Sequence, residues 1–238
     1  MRRTHQRGIA IGPILAVVAL LAVLASAIAA GSGSFNGDIS AVKAKAQASA
    51  ILEYAESVKM GVDRVLGKGC TDTQISFENP IVSGYVNPSA PSDKSCHVFD
   101  VNGGGILYNK PLISFLDPEM VGGDAFGKWF FSGSVCVSST GNCVATLHTS
   151  SLVLGLFYID KKVCLHINQS LGVFTPADDV ALTDGGCSFD PDEQFTGIYS
   201  SIYSIGNDRA LKGCYKSSSS CGHHLRDHYH FYQVLIVR

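Results

Sequence analysis

Residues 7–30 read RGIAIGPILAVVALLAVLASAIAA. From Ile9 to Ala30 the chain runs for 22 residues without a charge, behind a basic head of Arg2, Arg3 and Arg7 that carries no acid. A helix rises about 1.5 Å per residue, so this run reaches roughly 33 Å, enough to span a hydrocarbon core. The basic flank is expected to stay in the cytoplasm while the rest crosses. All eight cysteines, from Cys70 to Cys221, follow the run, in keeping with that orientation. Their number is even and no Cys-x-x-Cys pair occurs. That favours disulfides in an oxidising compartment over zinc or redox chemistry.

Composition narrows the class. The chain has 238 residues, is 46% hydrophobic and 16% charged, and has a formal net charge of −2. A disordered chain would combine low hydrophobicity with high charge. The 25 glycines follow no period, which excludes collagen, and the low charge fraction excludes a coiled coil. So few basic residues argue against binding nucleic acid by phosphate neutralisation.

Three readings compete for the apolar run. One is a secretory signal cut among Ala25 to Ala30, and one is an uncleaved anchor. The third is a leader cut after Gly8, which leaves the run on the mature protein. The run exceeds the 7–15 residues of a usual signal core, which favours the third. The segment Arg7-Gly8-Ile9-Ala10-Ile11-Gly12-Pro13-Ile14-Leu15 resembles the start of type IV pilins and pseudopilins, in particular an alphaproteobacterial pilin-like group with Gly-Pro after the junction. The likeness covers about the first 70 residues. Gly103-Gly104-Gly105, Val163-Cys164-Leu165-His166-Ile167-Asn168 and Phe231-Tyr232-Gln233-Val234-Leu235 extend it loosely. The resemblance implies a non-enzymatic structural subunit of a type IV pilus or type II secretion pseudopilus. It further implies cleavage between Gly8 and Ile9 by a prepilin peptidase, an inner-membrane anchor, an exported periplasmic or cell-surface head, and other pilin-like subunits as partners. The acid that the family carries five residues after the junction, which neutralises a neighbouring subunit's amine, is here Pro13. Its role therefore does not carry over, and a minor subunit fits that departure.

The expected organisation is a leader at 1–8, an assembly helix at 9–30, a hinge at 31–37 where Gly31-Ser32-Gly33-Ser34 interrupts the run, and an exported head at 38–238. The head opens with a helix over 38–66, capped by Asp38 or Ser40. Its apolar stripe is Ile39, Val42, Ala46, Ala50, Leu52, Ala55, Val58, Val62 and Val65, with Glu56 and Lys59 paired one turn apart. Gly67 and Gly69 end it. Strands are expected at Lys128–Ser138, with Val144–Thr149 as hairpin partner, at Leu152–Ile159, and near His228–Val237. Asp160 caps a helix at Lys161–Leu171, with Gly172 after it. One long helix followed by mainly antiparallel strands and short helices makes the fold α+β.

Cys136 and Cys143, and Cys214 and Cys221, each enclose six residues. On a hairpin such pairs face one another at about 4.5 Å between Cα atoms, within disulfide range. Cys70–Cys96 and Cys164–Cys187 are the nearest-neighbour choice among the three pairings open to the other four cysteines.

Other constellations are weaker. His223, His224, His228 and His230 cluster, with His228 and His230 on one strand face beside Asp227. They match no hydrolase spacing, and a surface strand is the simpler reading. Asp178, Asp179, Asp184, Asp190, Asp192 and Glu193 have the oxygen density of a calcium loop but no EF-hand spacing, so a solvated loop is expected. Asn168-Gln169-Ser170 is a formal glycosylation sequon. No Gly-x-Ser-x-Gly elbow or Gly-rich phosphate loop occurs. No catalytic residue, cofactor or metal is therefore expected. The competing functions are a secreted or anchored binding domain, an adhesin that never polymerises, and, further off, a periplasmic hydrolase using the histidines.

Overall fold

The structure, a computed structural model, describes residues 11–137, 150–173, 179–180, 192–200, 203–205, 210–217 and 227–238, with backbone alone for 11–38 and 203–204. The chain divides into two units, residues 1–43 and 44–238.

The first unit holds the opening of helix α1, which spans Ile11–Gly67. The hinge expected at 31–37 is not formed, because the backbone there is helical. Glycine weakens a helix by about 1 kcal/mol but keeps its N–H, so the hydrogen-bond ladder continues through it. Proline would break the ladder. Pro13 sits in the first turn, where its missing N–H costs nothing. Asp38 and Ser40 consequently lie inside the helix rather than capping it. The leader junction at Gly8 and Ile9, and the side chains of the run to Ala30, lie outside what is described. Among the described residues no helix is long and apolar enough to cross a membrane.

In the second unit α1 buries Ala44, Ala48, Ile51, Ala55, Val58, Val62 and Val65. Alternating steps of four and three keep these seven side chains on one stripe. The C-terminal half of the expected stripe is thus correct and the N-terminal half is rotated. Ile39 is 59% exposed, Val42 is 64% exposed, and Ala46 and Ala50 face solvent. Small alanines, rather than the bulkier Ile39 and Val42, mark the packed face. Lys59 pairs with Asp63 instead of Glu56, while Glu56 meets Lys212. Gly69, at φ +96°, turns the chain out of the helix.

Residues 70–128 form an irregular layer with three short 3-10 turns, at Asp72–Gln74, Ile113–Phe115 and Pro118–Met120. Cys70 and Cys96 are disulfide-bonded across it with Cα atoms 5.8 Å apart, as expected from sequence. Arg64 donates to the carbonyl of Gly104, and Lys68 donates to those of Asn102 and Gly103 at 2.6 and 2.8 Å. Gly103 and Gly104 fold back on His97 and Val98 so closely that a Cβ at either would collide with a backbone carbonyl. That close approach explains the run of glycines.

The sheet comprises β1 (Trp129–Val137), β2 (Ser151–Ile159), β3 (Tyr203–Ile205), β4 (Lys212–Lys216) and β5 (Tyr229–Ile236), in the order β3-β1-β2-β5-β4. Four strands are mutually antiparallel neighbours, and β3 joins β1 in parallel. The partner of β1 is β2, and residues 144–149, expected as its hairpin mate, lie outside the described residues. Every residue of β1 and β2 is buried, Ser132 and Ser134 included, so neither strand shows the alternation of a half-exposed one. Phe131 stacks on Phe77 with ring centroids 4.1 Å apart, and Tyr85 and Phe99 meet it edge-on. The adjacent Phe130, pointing the other way, meets Phe157 at 4.9 Å. Helix α2 (Lys161–Leu171) follows β2 and forms as expected. The carboxylate of Asp160 accepts from the amides of Lys162 and Val163, and Gly172 closes the helix at φ +67°. The class is α+β.

Candidate functional site

Parts of the sheet margin are capped, on β1 ahead of its pairing with β3 and on β4 at Cys214. On β1, the Tyr108 hydroxyl accepts from the amide of Trp129 at 3.3 Å and the Tyr85 hydroxyl from that of Phe131 at 3.1 Å. The Phe195 amide donates to the carbonyl of Phe131 at 2.9 Å. Burial pushes the Tyr108 hydroxyl pKa up to about 12 and that of Tyr85 higher still, so both remain protonated. On β4, the carboxamide of Asn168 accepts from the Cys214 amide at 2.7 Å and donates to the Cys214 carbonyl at 3.0 Å. One side chain thus does what a neighbouring strand would do. Asn168 is fully buried and used in this way, so the sequon containing it is occupied structurally.

The exposed apolar surface lies elsewhere. Residues 107–114 run along α1, held where Gln47 donates to the carbonyl of Ser114 at 2.6 Å and where the Tyr54 hydroxyl accepts from the Asn109 amide at 3.1 Å. The Tyr54 ring lies 4.9 Å from Trp129, whose indole N–H donates to the carbonyl of Asn109 at 3.0 Å. Tyr54, Asn109, Pro111, Leu112, Phe115 and Trp129 line a cleft of about 370 Å³. Leu107, Leu112 and Ile113 stand exposed around it. The Tyr54 hydroxyl and the Trp129 indole are both engaged by the Asn109 backbone there, and Lys110 also lines the cleft.

The histidine cluster is only partly described, since His223 and His224 lie outside the described residues. His228 and His230 both lie against Tyr158, with ring centroids 5.4 and 5.5 Å from it. Tyr158 has φ +56°, a left-handed backbone that a bulky residue seldom adopts. Its amide donates to Nδ1 of His230 at 3.4 Å, and its carbonyl accepts from the Asp117 amide at 2.8 Å. Nδ1 of His228 lies 3.5 Å from the Asp117 carboxylate. The histidines therefore hold an irregular end of β2. His230, expected on an ordinary surface strand, is fully buried among Phe157, Tyr158 and Tyr215. Nothing in the sequence signals the unusual backbone at Tyr158.

Of the acidic stretch, Asp178, Asp184 and Asp190 lie outside the described residues. Asp179 is engaged by Tyr229, whose hydroxyl donates at 2.8 Å, and by Lys216 at 3.5 Å. Burial works to raise its pKa, but that hydroxyl, the Val180 amide and the ammonium groups of Lys216 and Lys161 outweigh it and hold the carboxyl below its usual range. Among the described residues no group of three or more His, Cys, Asp or Glu is placed to hold a metal ion.

Of the disulfides proposed from sequence, Cys70–Cys96 is formed. Cys136 is disulfide-bonded, and its partner, together with the expected Cys143, lies outside the described residues. Cys164 and Cys214 are buried and unbonded in the structure, and their expected partners, Cys187 and Cys221, lie outside the described residues. In comparisons with protein-family models, curated proteins and solved structures, nothing matches this chain.

Proposed function

We propose that this chain is a non-enzymatic, pilin-like structural subunit of a type IV pilus or type II secretion pseudopilus. It is anchored in the inner membrane and assembled through its N-terminal helix, with the head exported. The observation that carries this reading is α1, helical from Ile11 to Gly67 and packed along 44–65 on an α+β head. The charge-free residues 9–30 supply a lipid-embedded segment, and their Ala and Gly residues let helices approach closely. Removal of a leader with three of the 18 basic residues takes the formal charge from −2 to −5, giving a mildly acidic fibre surface. Partners are other subunits of this kind, the inner membrane and a prepilin peptidase, with neither cofactor nor metal.

The cleft beside Trp129 favours a second reading, an anchored or secreted binding domain that does not polymerise. Replacing Gly8 by Asp in the producing cell separates the two. As a subunit, the variant keeps its leader, and both the variant and its filaments vanish from the fraction sheared off the cell surface. As a non-polymerising domain, the wild-type chain is already absent from sheared filaments and the substitution changes nothing there.

A further inference from the structure

Helix α2 is fastened to β4 at one residue. Asn168 clamps both backbone groups of Cys214, and Cys164 lies one helical turn before Asn168 on the same buried face. Helix α2 packs against β4, and after burial the neighbouring Cys214 thiol is the next cause that raises the Cys164 thiol pKa. Both side chains are fully buried, and they are the two free cysteines among the described residues. The other three described cysteines are already in disulfides.

We propose that Cys164 and Cys214 are disulfide partners that cross-link α2 to β4 in the mature protein. The oxidant is a disulfide-bearing thiol oxidase of the exporting compartment, or a small-molecule disulfide in vitro. One cysteine thiolate attacks the oxidant's disulfide, forming a mixed disulfide and releasing one oxidant thiol. The second cysteine displaces the other oxidant sulfur. One S–S bond is made and one broken, and two electrons and two protons leave with the reduced oxidant. Burial pushes the Cys164 thiol pKa well up, which suppresses the thiolate in the packed state. The finished bond is fully buried, and so structural rather than a switch. Cys164 and Cys214 being committed to each other, the sequence-based pairings with Cys187 and Cys221 are replaced. The inference needs an oxidising compartment and stands whether or not the chain polymerises.

The test is peptide mapping of the full chain, exported by its own N-terminal segment, denatured with an alkylating agent and no reductant. Trypsin releases Gly213–Lys216, and an Asp-directed protease separates Cys164 from Cys187. The expected product is the Val163 peptide linked to Gly213–Lys216. Linkage of Cys164 to Cys187, of Cys214 to Cys221, or alkylation of both Cys164 and Cys214 overturns the proposal. A second variant, Cys164→Ser, is expected to free one thiol, at Cys214, with Cys70–Cys96 intact. A newly alkylated Cys187 in that variant overturns it too.

Discussion

Asn168 shows how much one side chain can carry. Replacing it with Ala removes two hydrogen bonds and leaves the buried amide and carbonyl of Cys214 without their partner. Each such loss costs about 1–3 kcal/mol. Asn168→Ala is therefore expected to lower unfolding stability by about 2–4 kcal/mol, read from the urea midpoint. Asp179 gives a smaller, pH-dependent effect. Its folded-state pKa lies below the unfolded value, so its stabilisation is present above the ordinary carboxylate range and fades as pH falls through the folded pKa. The side chain is 39% exposed, which keeps the effect small. Asp179→Asn is expected to cost less than about 1 kcal/mol at pH 7, and the gap from wild type should close on acidification. Local rules made some residues readable from sequence. Asp160 and Gly172 are caps, whose geometry depends on neighbours within a turn. Asn168 was not readable as a clamp, because its partner lies 46 residues away. Its one clue was a polar amide on the buried face of an amphipathic helix.

At the scale of elements, α1 separates what periodicity determines from what it does not. Spacing alone finds Ala55, Val58, Val62 and Val65, because heavy side chains repeat there without ambiguity. Toward the N-terminus two faces compete, and Ile39 and Val42 are larger than Ala44 and Ala48. Packing selects the small residues, and the large ones stay in solvent. Val58→Ala is accordingly expected to cost about 2–3 kcal/mol, while Val42→Ala stays within about 0.5 kcal/mol. The strand margins were not readable at all. Tyr85 precedes β1 by more than forty residues, yet its hydroxyl receives the Phe131 amide. Tyr85→Phe keeps the ring and removes that acceptor. It should cost about 1–3 kcal/mol and speed hydrogen exchange at the Phe131 amide. A variant with unchanged exchange there would show that the hydroxyl is dispensable.

For the molecule as a whole, order and class were readable: one long helix first, then a mainly antiparallel sheet with a capped short helix between strands. The apolar runs of β1 and β2 required burial on both faces, and the structure supplies it. The connections were less readable. Cysteine spacing identifies Cys70–Cys96, where the intervening chain folds back as one layer. It leaves open the pairing of Cys164 and Cys214, which lie on α2 and β4, two elements far apart in the chain that pack together. Function rests on the first thirty residues and on the helix that continues from them. The most direct measurement is the first residue of the chain purified from the membrane fraction of the cell that makes it, by N-terminal sequencing or intact mass. The pilin-like account expects Ile9, with the apolar run retained. A start near Ala30 or Gly31 on a freely soluble product would contradict it.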